Sequence, residues 1–122
     1  MKAYFNGAYI DNKITLPLND RAIQFGDGIF ETIIYQRGKI NYLEDHLKRL
    51  NKGLETLQIN PFSIKAEDFT EITKSLLEAN SISDTARLKF MVWRKGQRQK
   101  AYASSERELN YLIQTFRSDP IA

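Results

Sequence analysis

The chain has 122 residues, 42 % hydrophobic and 27 % charged, with a formal net charge of +3. That is the length of one domain and the composition of an ordinary globular protein. There is no cysteine and a single histidine, which excludes thiol nucleophiles, disulfides, thiolate metal sites and a histidine-rich metal centre. No apolar run approaches the roughly 20 residues of a membrane span, and residues 1–7 do not read as a signal peptide.

Lys2 to Phe5 and Ala8 to Ile10 are predicted strands around Asn6-Gly7, since both central positions of a type I′ turn need positive φ. Ile14 to Leu18 reads as a short extended piece, with Pro17 suited to an edge or loop. Gly26-Asp27-Gly28 permits a sharp corner. Ile29 to Gln36 reads as a buried strand with little alternation, and Arg37-Gly38-Lys39 turns it back into Ile40-Asn41-Tyr42. A helix is expected from about Leu43 to Leu57, N-capped by Asn41 with Glu44 three residues on. Leu43, Leu47, Leu50, Leu54 and Leu57 form its apolar stripe.

Asn60-Pro61 breaks the chain before a second helix, Ala66 to Ala79, with Phe69, Ile72 and Leu76 on one face and Asn80 as the stop. Ala86 to Trp93 alternates as a strand, and Leu109 to Phe116 follows as another. Between them lies the basic run Arg94 to Lys100. It reads first as a solvated loop, next as an anion-binding loop for a small substrate, and only distantly as a nucleic-acid contact. The order, β-rich then two helices then β, predicts an α+β domain over 1–122 with a small, mostly antiparallel sheet and two packed helices.

On the first helix, Arg49 lies about 120° and His46 about 60° from the leucine stripe, on the same flank. A guanidinium at that margin can bind a phosphate with two parallel hydrogen bonds. It can equally lie along the core edge, paired with Glu44 or Asp45. His46 has no partner serine or cysteine motif and reads as a packing or orienting residue. Phe25, Phe30 and Tyr35 are packing residues by default. Gly26 and Gly28 fit a tight corner better than a phosphate cradle.

Two segments, Asp20-Arg21-Ala22-Ile23-Gln24-Phe25-Gly26-Asp27-Gly28 and His46-Leu47-Lys48-Arg49-Leu50, resemble the fold-type IV pyridoxal-phosphate enzymes. These are the class IV aminotransferases: branched-chain and D-amino-acid aminotransferases and aminodeoxychorismate lyase, the last resembled most closely. The resemblance implies the fold of that family's N-terminal domain, with the catalytic second domain absent. It implies pyridoxal phosphate as cofactor in the complete enzyme, with Arg49 on its phosphate. Phe25 and Phe30 would line the substrate pocket, and Arg98 or Lys100 would take a substrate anion. D-amino-acid aminotransferases tend to carry tyrosine at the Phe30 position, which weighs against that substrate. The loop from Arg94 to Tyr102 is less glycine-rich than its counterpart in the lyases.

No lysine here matches the one that carries the cofactor as a Schiff base. That lysine and the glutamate facing the pyridine nitrogen are expected beyond Ala122. This chain alone is therefore expected to hold no catalytic residue, not to retain the cofactor and to be inactive. A homodimer, a small-molecule amino substrate and a cytoplasmic location are expected, with no metal, nucleic acid or membrane. The alternative is a free-standing binding or assembly domain without catalysis.

Overall fold

The computed structural model describes residues 1–11, 13–18, 20, 28–59, 64–94 and 109–119. The strands are β1 (Ala3–Phe5), β2 (Ala8–Ile10), β3 (Gly28–Gln36), β4 (Lys39–Ile40), β5 (Ala86–Arg94) and β6 (Leu109–Arg117). The helices are α1 (Leu43–Thr56) and α2 (Ala66–Ala79). The strands form one sheet in the order β2-β1-β6-β5-β3-β4, and every neighbouring pair is antiparallel. This is the α+β architecture that the order of elements implied.

Both predicted tight turns are present. Asn6 and Gly7 have φ of 50° and 90°, and Arg37 and Gly38 have 55° and 76°, the left-handed pair that joins twisted antiparallel strands. Residues 14–18 belong to no strand. Pro17 has no N–H to give a ladder, and its carbonyl accepts from the Asp20 N–H at 2.9 Å, closing a turn.

The start of α1 differs from the expected Asn41 cap. Asn41 N–H donates to the Ile34 carbonyl at 2.8 Å, completing the β3–β4 hairpin. The cap is Tyr42 in a left-handed conformation, with no side-chain capping bond. Pairing with the strand places Asn41 outside the helix. At the other end α1 stops at Thr56. Gln58 takes a positive φ, its N–H donates to the Glu55 carbonyl, and the Ile59 N–H reaches Leu54. α2 ends the same way, with Ser81 left-handed, its N–H on Glu78 and the Ile82 N–H on Leu77. This closure satisfies the last carbonyls and buries an apolar residue just past the helix. Ile59 and Ile82 are both buried.

The core lies between the helices and one sheet face, where Leu50, Leu54, Phe69, Leu76 and Leu77 meet Ile33, Leu88, Phe90, Val92 and Ile113. The Phe69 and Phe90 rings are 5.1 Å apart. Asn80 fastens the start of the chain to this layer. Its Oδ1 accepts from the Lys2 N–H at 2.6 Å, and its Nδ2 donates to the Lys2 carbonyl and to Thr115 Oγ1. Among the described residues no helix covers the opposite face. There Phe30, Met91, Leu112 and Phe5 sit side by side across β3, β5, β6 and β1.

Candidate functional site

Side chains alternate across β3, so Glu31 and Ile33 point to the helices while Phe30 and Thr32 point away. Ile33 is core. Glu31 is a carboxylate in the same phase, only 4 % exposed, and a buried carboxylate needs partners. α1 supplies them, because residues three apart share a helix flank. His46 Nδ1 lies 2.6 Å from Glu31 Oε1. Arg49 Nε donates to both carboxylate oxygens, at 3.2 and 3.0 Å, and Nη2 donates to Oε1 at 2.8 Å. An ionised carboxylate only accepts hydrogen bonds, so it holds the proton of a neutral His46 on Nδ1.

Burial pushes the Glu31 carboxyl up. The hydrogen bonds from Arg49 and His46 outweigh it and hold the group below its ordinary value. Arg49 is shifted the opposite way by the same contact, so the pair is an ion pair at neutral pH. It is also lopsided: the carboxylate is buried, whereas the Arg49 side chain is 71 % exposed. Arg49 therefore borders the core, as its helical angle indicated, but its partner is Glu31 on β3 and not Glu44 or Asp45.

Phe30 lies on the other sheet face, 57 % exposed, with Lys89 Nζ 4.9 Å from its ring centre. It therefore lies outside the core between helices and sheet. Arg49 and Phe30 belong to opposite faces of the same sheet edge. Phe25, Arg98 and Lys100 lie outside the described residues, as do Gly26, Asp27 and Tyr102.

The described flanks of segment 21–27 both converge on Trp93. Asp20, 1 % exposed, accepts from Trp93 Nε1 at 3.1 Å and more weakly from Asn110 Nδ2 at 3.5 Å. Gly28 pairs with Trp93 across the ladder. A Cβ at Gly28 would fall 2.6 Å from Trp93 Cβ and 2.8 Å from the Val92 carbonyl oxygen, so close strand approach, more than corner geometry, calls for glycine here. Arg94, where the basic run begins, donates from Nη2 to the Leu57 carbonyl at 2.8 Å. This ties the end of β5 to the end of α1.

The strand is not buried with little alternation, as its composition predicts: it alternates, with Phe30 and Thr32 exposed and Glu31 and Ile33 buried. The signal for Glu31 was present: a single carboxylate in phase with Ile29, Ile33 and Tyr35. Among the described residues no cluster of three potential metal ligands occurs, and no helix is long and apolar enough to cross a membrane.

Residues 28–122 match the family model for amino-transferase class IV. The chain belongs to the class IV aminotransferase family. It is 30 % identical over 84 residues to a D-alanine aminotransferase of Staphylococcus haemolyticus, covering 68 % of this chain and 29 % of that protein. It is 33 % identical over 82 residues to an aminodeoxychorismate lyase of Bacillus subtilis, covering 66 % of this chain and 28 % of the lyase. The chain thus spans under a third of the length of these relatives.

Among solved structures, the branched-chain aminotransferase of Thermoproteus uzoniensis superposes with a TM-score of 0.77 at 15 % identity, over 96 % of this chain and 40 % of that one. A hypothetical aminotransferase of Mycobacterium tuberculosis in its PLP-bound form gives 0.74 at 16 % identity, over 96 % of this chain and 39 % of that one. At these identities the likeness establishes the fold.

Proposed function

We propose that this class IV aminotransferase domain is the N-terminal domain of a pyridoxal-phosphate enzyme in which Arg49 binds the cofactor phosphate. The observation that carries the reading is the state of the Arg49 guanidinium. Glu31 takes its Nε and one Nη2 hydrogen, while the rest of the exposed group has no other partner among the described residues. A permanently charged, planar donor with an open edge fits a phosphate. The bound cofactor would supply an electron sink for a carbanion at the substrate Cα.

On this reading Phe30, together with Phe25 and one of Arg98 or Lys100, shapes the pocket for a small amino substrate. The complete protein works as a homodimer in the cytoplasm. The lysine that carries the cofactor belongs to a second domain, consistent with the small share of each relative that the chain covers. Aminodeoxychorismate lyase is the first substrate reading and an amino-acid aminotransferase the second. Similar identity to one enzyme of each kind leaves the order resting on the Asp20–Gly28 segment and on phenylalanine at position 30.

The test is Arg49→Ala in the two-domain protein. Affinity for pyridoxal phosphate should fall about ten- to a hundredfold, the scale of a lost charge-assisted hydrogen-bonded contact, while affinity for unphosphorylated pyridoxal changes little. Equal affinity of mutant and parent for the phosphorylated cofactor would reject the reading. The 122-residue chain alone should show no stereospecific turnover with pyridoxal phosphate and either substrate class.

A further inference from the structure

We infer that Glu31 is a positioning residue for the phosphate-binding guanidinium: it clamps one edge of Arg49 so that the other edge is presented to an anion. The inference rests on the reading of Arg49 given above. A guanidinium has five N–H donors on a planar fork. Glu31 engages the side edge, Nε and Nη2, at 3.0 and 2.8 Å. One hydrogen of Nη1 and the outer hydrogen of Nη2 form the free end-on edge, which can donate to two phosphate oxygens in parallel, while the other Nη1 hydrogen points back toward Cδ.

The clamp is itself fixed from the core side. Glu31 is held by burial, by its place on β3 beside Ile33, and by His46 Nδ1 at 2.6 Å. Without it, Arg49 would be a long exposed side chain sampling many rotamers, and anion binding would have to order it. Two effects of Glu31 oppose each other. Its negative charge repels a phosphate, and its hydrogen bonds pre-organise the arginine. The repulsion acts across the guanidinium, whose own positive charge lies between the two anions and offsets it. The pre-organisation acts directly on the binding atoms, so it wins.

The experiment uses the two-domain protein and measures affinity for pyridoxal phosphate and for pyridoxal by equilibrium absorbance titration. The ratio of the two affinities isolates the phosphate contribution, which a general loss of stability would not move. Glu31→Gln should lower that ratio about tenfold, and Glu31→Ala at least as much. If Glu31→Ala does not fold, Glu31→Gln keeps the shape of the side chain and decides. In an Arg49→Ala background, Glu31→Gln should have no further effect on the ratio.

An Arg49→Ala mutant that leaves the ratio unchanged would sink the reading of Arg49 itself. An Arg49→Ala mutant that lowers the ratio, beside a Glu31→Gln mutant that leaves it unchanged or raises it, would overturn the role of Glu31 alone.

Discussion

The two helices lie on the same face of one sheet and have the same length, fourteen residues each, yet they do different things. α2 buries Phe69, Thr73, Leu76 and Leu77. Among the described residues none of its side chains makes a charge-assisted contact with the sheet. α1 fully buries only Leu50 and Leu54, and it spends its flank on His46 and Arg49, which meet a buried carboxylate. α2 is held by area and shape, α1 by less area plus one polar lock. The difference suits their places. α2 lies over the β1 and β6 side of the sheet, whereas α1 lies over β3, the strand that carries Glu31 on one face and Phe30 on the other.

The largest test removes apolar volume from α2. Phe69→Ala should cost about 3–5 kcal/mol of stability in denaturant unfolding, the range for deleting a buried aromatic ring. A cost below that of an exposed substitution would mean that α2 does not carry the core.

Acid should discriminate next. The carboxyl of Glu31 sits below its ordinary value in the folded protein. Its contribution is therefore present above the ordinary glutamate pKa of about 4.3. It is lost as pH falls from there through the lower folded value. At neutral pH Glu31→Gln should cost about 1–2 kcal/mol, the low end for charged hydrogen bonds because Arg49 is exposed. Unfolding curves recorded as pH is lowered should show the parent and Glu31→Gln converging. A pH-independent gap between them would deny the ion pair this role.

A smaller effect, of opposite sign, is expected in α2. Thr73 is fully buried, and its hydroxyl has no hydrogen-bond partner among the described residues. Thr73→Val keeps the shape and removes the orphan, so it should raise stability by up to about 1 kcal/mol. Loss of stability would reveal a partner for that hydroxyl.

The smallest effect concerns how close α1 comes to the sheet. A Cβ on Gly53 would meet Ile29 side-chain atoms at 3.0, 3.2 and 3.4 Å. Alanine gains about 0.8–1 kcal/mol of helix propensity over glycine, and the crowding of Ile29 offsets it. The net change for Gly53→Ala should stay within about 0.5 kcal/mol, and a thermal melt showing the full propensity gain would mean that the contact yields freely.

The sequence by itself determined the elements, because each is written in local chemistry. Asn6-Gly7 and Arg37-Gly38 make turns through positive φ, the leucine stripe orients α1, and the alternation from Ala86 to Trp93 sets the two faces of β5. The flank position of His46 and Arg49 was equally legible, since helical angles follow from residue number. The tertiary structure decided what stands opposite that flank. Glu31 is eighteen residues from Arg49, and nothing in the spacing of either segment tells which strand α1 will pack on. Asn41 teaches the same lesson in reverse. As a sequence it is a good helix cap, but strand pairing claimed its N–H first and left the helix to begin one residue after a left-handed Tyr42. Gly28 reads as a corner and proves to be a point of contact with Trp93. In each case the deciding partner is distant along the chain, and only the folded packing brings it within reach.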